Sequence, residues 1–375
     1  MKDIKIGVIE ERFANIIWEN EPLTSKELIK LCEEQLNWKS TTSYTVLKKL
    51  CDKGIFKNEH SVVTSIINKE EFYSKVDYKL YYKYSNIILI VSFILLVLVL
   101  IPGIGSIRNG SRSWFGIGSF GIQPSEFCKI SLIIFTSKYL SKSSDFIKKY
   151  FKGIIPIILI TLLFFALIML QPDLGTATIM FISIIAILFI SGADMKFFIG
   201  GGILGILGVV GLIIIAPYRM DRITSFINPW KDPLGTGFQM IQSLYAIGPS
   251  GLLGTGYLNS IQKHFYLPEP QTDFIFSIIL EEFGILGAII VVGLFFLLLY
   301  RGIKISNKCS DSFGKYLSFG IIFQLIFQAI MNLSVVVGLI PVTGVTLPFL
   351  SYGGSSLLIS MASIGIVLNI SRSRC

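Results

Sequence analysis

Residues 274–300 read FIFSIILEEFGILGAIIVVGLFFLLLY, and only Glu281 and Glu282 interrupt an otherwise uncharged run of 27 residues. A membrane span needs about 20 apolar residues, so this stretch is long enough to cross a bilayer. Working outward, 316–371 carries no charge across 56 residues, which is room for two spans broken near 341–355. Upstream, charge-poor windows at 84–107, 127–140, 153–172, 174–193 and 197–218 complete eight expected spans. The window 127–140 is short and holds Lys129 and Lys138. The stretch 233–262 is also uncharged, but its six glycines and two prolines would leave backbone groups unpaired in lipid. It reads as a loop, partly re-entrant. The expected fold class is mainly α, a polytopic helical membrane protein.

Composition agrees. The chain has 375 residues, 52% of them hydrophobic and 15% charged, where soluble domains carry roughly 25% charge. A soluble enzyme, a disordered chain and a disulfide-built secreted domain are excluded. The five cysteines are scattered without a CxxC pair, and only His60 and His264 could supply imidazole, so neither a zinc site nor a disulfide framework is indicated. The first 20 residues are charged and lack an apolar core, unlike a signal peptide.

Charge divides the chain. Residues 1–84 hold 14 basic and 13 acidic side chains, and the rest hold 19 and 11. The head, 1–75, predicts three short helices. One spans Val8 to Trp18 with Phe13, Ile16 and Ile17 on its apolar side. The second opens on the capping box Thr24–Glu27. The third runs from Thr41 to Lys53, with Tyr44, Val46, Leu47 and Leu50 as its core stripe. β-rich runs at 54–56 and 62–67 flank a turn at Asn58–His60, giving a winged helix-turn-helix. The residues IIWENEPLTSKELIKLCEEQLNWKSTTSYTVLKKLCDKGIFKNE resemble the penicillinase-repressor (BlaI/MecI) family. That resemblance implies a third helix in the major groove, with Thr41, Thr42, Lys48 and Lys49 as candidate DNA contacts and Lys53 beside them. The near-neutral charge of the head argues against nucleic acid as its ligand, and DNA binding is kept as an alternative.

Lys and Arg concentrate in alternate short loops, which puts both termini in the cytoplasm and the long segment 217–273 outside. That outer side gathers Arg112, Arg219, Arg222 and Lys263 with Glu126, Asp173, Glu269 and Asp273. Guanidinium pairs well with phosphate oxygens, so a diphosphate-bearing lipid headgroup is one reading and mutual pairing of loop charges the other. Asp273 stands where loop meets span. Helix capping would explain it, as would a partly desolvated base. Glu281 lies two turns further on, where a carboxylate is a functional candidate or the partner of a cation.

From about residue 76 onward the chain resembles the SEDS (shape, elongation, division and sporulation) family, nearest its FtsW/SpoVE branch. The motifs are LVLIPGIGSIRNGSRSWFGIGSFGIQPSEFCKI, LQPDLGTATIM, APYRMDRITSFINPWKDPLGTGFQMIQSLYAIGPSGLLGTGY, YLPEPQTDFIFSIILEEFG and GLIPVTGVTLPFLSYGGSS. The resemblance implies a domain over 76–375 that polymerises lipid II into glycan strands outside the cytoplasmic membrane, in cell division or sporulation. Its essential aspartate falls on Asp273, its PSE..K motif on Glu126 and Lys129, and its NGxRxW motif on Asn109, Arg112 and Trp114. Arg112, Arg219, Arg222, Lys263 and Glu269 are then expected at the substrate, and Glu126, Lys129 and Glu281 as polar groups within the membrane. A class B penicillin-binding protein and divisome or sporulation proteins are the implied partners. A divalent cation would suit the leaving diphosphate, but no ligand set for one is legible and no other cofactor is indicated. Relatives have ten spans, and the repressor-like head stands where their first two would be. Lipid II flippase, or a tethered regulator on an inactive remnant, are the alternatives.

Overall fold

The computed structural model describes residues 7–36, 38–68, 78–108, 111–116, 121–142, 153–215 and 217–372. Two units result, Met1–Asp77 and Tyr78–Cys375.

In the first unit, α1 (Val8–Asn20), β1 (Leu23–Thr24), α2 (Ser25–Leu36), α3 (Ser40–Asp52), β2 (Phe56–Glu59) and β3 (Val62–Ser65) make the winged helix-turn-helix. The capping box forms: the Glu27 carboxylate accepts from Thr24 N at 2.9 Å, and Glu27 N donates to Thr24 Oγ1 at 3.3 Å. Phe13, Ile17, Leu28, Leu50 and Phe56 are the centre of its core. Three details differ from the sequence reading. Tyr44 is 49% exposed, because the inward face of α3 follows Ser43, Val46, Leu47 and Leu50 at helical spacing. The hairpin turns at His60 and Ser61, both with positive φ. And β1, too short to show a period, pairs with β3 to make the sheet three-stranded, order β1-β3-β2.

In the second unit every expected span emerges as a helix. These are α4 (Lys79–Leu100), α5 (Pro124–Lys142), α6 (Ile155–Met169), α7 (Leu174–Ile190), α8 (Met195–Ile215), α12 (Ile275–Lys308), α13 (Ser312–Val336) and α14 (Gly354–Arg372). Among the described residues, α4, α12, α13 and α14 are each long and apolar enough to cross a membrane alone. The helices α6 and α7 are apolar but shorter, and α5 carries four charged groups. The chain is a multi-pass membrane protein.

Helix α13 is the hub. It packs on α5, α7, α12 and α14, and its Leu317, Ile321 and Leu325 are buried beside Ile133 of α5 and Ile187 of α7. Helix α4 turns Tyr84, Ile87, Val91 and Ile94 outward, three or four residues apart, as a lipid-facing stripe would be. It stops at Leu100, so Ser106–Arg108 pairs instead with Ser111–Trp114 as the hairpin β4–β5. Between α8 and α12 lie α9 (Pro217–Ile227), α10 (Phe238–Ile247) and α11 (Gln262–Phe265). Within the uncharged stretch 233–262, the ten residues of α10 bury Met240, Ile241, Ser243 and Ala246, and Ser243 donates to Val336 O at 2.9 Å. This is a short helix laid against α12 and α13, not a span.

Candidate active site

Asp273 is set by its backbone before its carboxylate does anything. Asn332 of α13 donates Nδ2 to Asp273 O and to Val345 O, both at 2.7 Å. Ser351 Oγ donates to Thr272 O at 2.6 Å, and Tyr352 N to Gln271 O at 2.7 Å. The segment before α12 is thereby bound to the loop that separates α13 from α14. Phe274, not Asp273, holds the N-cap position of α12, and no side chain caps it. Capping is not what Asp273 does here.

Its electrostatic setting raises the proton affinity of the carboxyl. Burial pushes the Asp273 pKa up to about 6, the charges of Glu269 and Asp173 add to that, and Arg222 opposes them. Asp173 is itself pushed upward, chiefly by burial, although it caps α7 by accepting from Thr176 N at 3.0 Å. Gln123 Nε2 also donates to Asp173, at 3.2 Å. The approach of α7 to the 341–353 loop is close: a Cβ on Gly175 would lie 2.6 Å from Val345 Cγ2 and 2.9 Å from Thr343 O. Gly344 sits against the Asp273 carboxylate, where a Cβ would be 3.7 Å from Oδ2.

Glu126 and Lys129, expected as polar groups within the membrane, pair with each other. Lys129 Nζ meets Glu126 Oε1 at 2.8 Å and Gln328 Oε1 at 2.8 Å, with Lys129 only 1% exposed. Gln328 Nε2 passes the connection to Thr346 O at 3.0 Å, and Thr346 Oγ1 lies 3.0 Å from Ser356 Oγ. A buried charge held this way is satisfied on several sides. The pair acts on the field at Asp173, Glu126 raising and Lys129 lowering its proton affinity.

The structure therefore draws Asp273, Asp173, Glu269 and Arg222 together, with Glu126 and Lys129 near Asp173. Arg222 also donates Nη1 to Val342 O at 3.1 Å. Arg112 lies on β5, half-buried, in the hairpin whose Ser111 Oγ donates to Gln171 O, and Trp114 ends the same strand. Arg219 belongs to α9, but its side chain lies outside the described residues, as does Asn109 altogether. Two expected site residues are used elsewhere. Glu281 accepts from Ser260 Oγ at 2.6 Å and Ile261 N at 2.8 Å and, among the described residues, pairs with no cation. Lys263 reaches Glu282 at 2.5 Å. Asn332, Gln328 and Ser351 went unnoticed in the sequence. A signal existed: Gln324, Gln328 and Asn332 stand four residues apart in an otherwise apolar window, one polar stripe on one helix face. Among the described residues no three His, Cys, Asp or Glu side chains are grouped to hold a metal ion.

A helical membrane protein with a desolvated carboxylate at the edge of a span and an arginine close enough to act on its charge is one class of answer. Comparison with known proteins narrows it. The family model described as cell cycle protein, for FtsW, RodA and SpoVE, matches residues 51–375, and the penicillinase repressor model matches residues 6–74. The chain belongs to the FtsW/RodA/SpoVE family. Stage V sporulation protein E of Bacillus subtilis is 52% identical over 80% of this chain and 82% of its own. A probable peptidoglycan glycosyltransferase FtsW of Trichlorobacter lovleyi is 44% identical over 79% of this chain and 78% of its own. Among solved structures, a chain from work on polymerization and crosslinking by a peptidoglycan synthase complex superposes with TM-score 0.67 at 29% identity, over 93% of this chain and 96% of that one. The Thermus thermophilus rod shape determining protein RodA superposes with TM-score 0.58 at 28% identity, over 81% and 83%.

Proposed function

We propose that the chain is a peptidoglycan glycosyltransferase that polymerises lipid II, with Asp273 as its general base. The 4-hydroxyl of the acceptor N-acetylglucosamine attacks C1 of the donor N-acetylmuramic acid. Its proton goes to Asp273, the bond from C1 to the diphosphate oxygen breaks with inversion, and undecaprenyl diphosphate leaves. A base serves best when its pKa lies near the working pH, and a carboxylate at about 6 is far better matched than an ordinary aspartate. That desolvated carboxylate, its backbone fixed by Asn332 and with Arg222 beside it, is the observation that carries the reading. Arg222 lies close enough to Asp273 to act on its charge and, with Arg112 and Arg219, would steady the diphosphate as negative charge builds on it. Glu269 helps keep Asp273 basic. No step is routed through a cation.

The active face is assigned to the outside of the cytoplasmic membrane, with both termini inside, from the loop distribution of Lys and Arg. A class B penicillin-binding protein is the partner in this reading, supported by the likeness to a synthase complex named for both polymerization and crosslinking. The process served is division or sporulation, the latter favoured by the sporulation protein among the relatives.

The test is polymerisation of labelled lipid II by the purified full chain in proteoliposomes, read as glycan ladders on a gel. Wild type should make polymer and Asp273→Asn should not. Polymer at the wild-type rate from Asp273→Asn removes the assignment, and lipid II translocation without any polymer favours a flippase.

A further inference from the structure

Helix α12 is two helices. Gly284 breaks it with φ 64° and ψ −160°, and the glycine-rich segment 251–256 fills the break. Thr255 N donates to Glu281 O at 2.8 Å and Gly256 N to Glu282 O at 3.0 Å, while Ile285 N and Leu286 N donate to Gly251 O and Leu252 O at 3.1 and 3.2 Å. These are backbone groups that lipid could not satisfy. The two chains touch so closely that only glycine fits. A Cβ on Gly254 would fall 2.4 Å from the Glu282 carbonyl, and one on Gly284 would fall 2.4 Å from Leu252 O.

Side chains close the same junction. The Glu281 carboxylate takes Ser260 Oγ, Ile261 N and Gln262 N at 2.6, 2.8 and 3.3 Å, which satisfies the start of α11. Glu282, 5% exposed at its side chain, receives Lys263 at 2.5 Å. Nine residues, Ile275 to Phe283, lie between the break and the start of α12. The near end of this half-helix is Asp273, tied to the 341–352 loop through Asn332, Ser351 and Tyr352. Its far end is tied to the 251–263 loop. A half-helix held at both ends cannot slide or rotate without breaking one set of contacts.

We propose that Lys263 and Glu282, with Glu281, form a latch that positions Asp273 by fixing the far end of its half-helix. Lys263 is then a positioning residue and not a grip on the donor diphosphate. The proposal rests on the glycosyltransferase reading, since catalysis is what the positioning serves. Misplacing a catalytic group by about 1 Å can cost on the order of 10²-fold in rate, and that is the size of effect expected.

The experiment compares the full chain with Lys263→Glu, Glu282→Lys, the exchanged pair and the milder Glu281→Gln and Glu282→Gln. Each is judged by lipid II kinetics and by amide hydrogen exchange across 251–263. Single changes should lower kcat by about 10²-fold with KM unchanged and should speed exchange in the loop. The exchanged pair should restore both. If KM rises in the Lys263 variant, or the exchanged pair regains protection but not activity, Lys263 touches substrate and the latch is wrong. Unaltered exchange in Glu281→Gln and Glu282→Gln also overturns it, and these near-isosteric variants serve where reversed charges fail to fold. A wild-type chain that makes no polymer refutes the glycosyltransferase reading, while exchange still decides whether the latch exists.

Discussion

Glu10 in the winged-helix unit and Asp273 in the membrane unit are both carboxylates at the edge of a helix, and their surroundings drive them in opposite directions. Glu10 is pulled below its usual 4.5 by a hydrogen bond from Lys53 and another from Gly7 N. Asp273 is pushed up to about 6 by burial and by two neighbouring acids, against one arginine. Water makes the first arrangement cheap and weak. A low-dielectric rim makes the second costly and useful. The same side-chain chemistry thus becomes a minor stabiliser in one unit and a carboxyl that holds its proton more tightly than usual in the other.

The hardest blow to this contrast is aimed at Asp273. Replacing it with Asn should remove a general base worth about 10²–10⁴-fold, measured as polymer formed per minute. In wild type the rate should fall roughly tenfold per pH unit below about 6, because only the ionised form accepts a proton. Stability should respond with the opposite sign. The folded state holds the Asp273 proton more tightly than an unfolded chain with a value near 3.8, so folding gains as pH falls from about 6 toward 3.8 and is penalised above. Asp273→Asn removes that penalty, and the inactive protein should unfold at or above the wild-type temperature. The gain is bounded at roughly 3 kcal/mol by the size of the shift. An inactive variant that is also less stable would show that Asp273 was holding the structure and not straining it.

Lys129 comes next. With Lys129 1% exposed and Glu126 6% exposed, Lys129→Ala would strand a buried carboxylate and should cost about 3–5 kcal/mol, seen as a fall in the detergent unfolding midpoint. Gly284→Ala should cost about 3 kcal/mol, since alanine disfavours that backbone conformation and its Cβ would strike Leu252 O. A neutral outcome would mean that α12 can straighten and that its break is not required.

Much of this architecture is legible from charge spacing alone, for a definite reason. Lipid penalises every unpaired charge and backbone group, so uncharged runs of the right length have few other folds open to them. That logic finds the eight long helices among the described residues of the membrane unit, though not the short α9, α10 and α11, and places Asp273 at a loop–span junction. It misses whatever depends on a second segment. Hydropathy sums 274–300 into one span, because nothing in EEFG tells a broken helix from a tilted one until the loop at 251–256 is seen filling the gap. It assigns Lys263 by the side of the membrane on which it lies, when its carboxylate partner follows 19 residues later on another element. Asn332 and Gln328 are overlooked because they are uncharged, yet they fix the backbone of Asp273 and the ammonium of Lys129. In the head the amphipathic pattern is read correctly except at Tyr44, one step around α3 from the buried face.

The smallest expected effect returns to Glu10, where the contrast began. The Lys53–Glu10 contact is as short as its counterpart at Lys263, 2.6 Å against 2.5 Å, but its side chains are 33% and 18% exposed instead of 20% and 5%. Distance alone would rate them equal. Exposure to water and salt predicts otherwise, because a wet pair gains little beyond what each charge already has from solvent. Glu10→Gln should therefore destabilise the head by only about 0.2–1 kcal/mol, and the loss should shrink in high salt. The sign with pH follows from the lowered value: the contribution is complete above the unfolded 4.5 and fades as acid protonates Glu10 in the folded state. Local hydrogen exchange in α1 and α3 across pH and salt would resolve a change of that size. A loss of several kcal/mol, insensitive to salt, would mean that this pair is shielded like those of the membrane unit, and the distinction between wet and buried carboxylates drawn from Glu10 and Asp273 would fail.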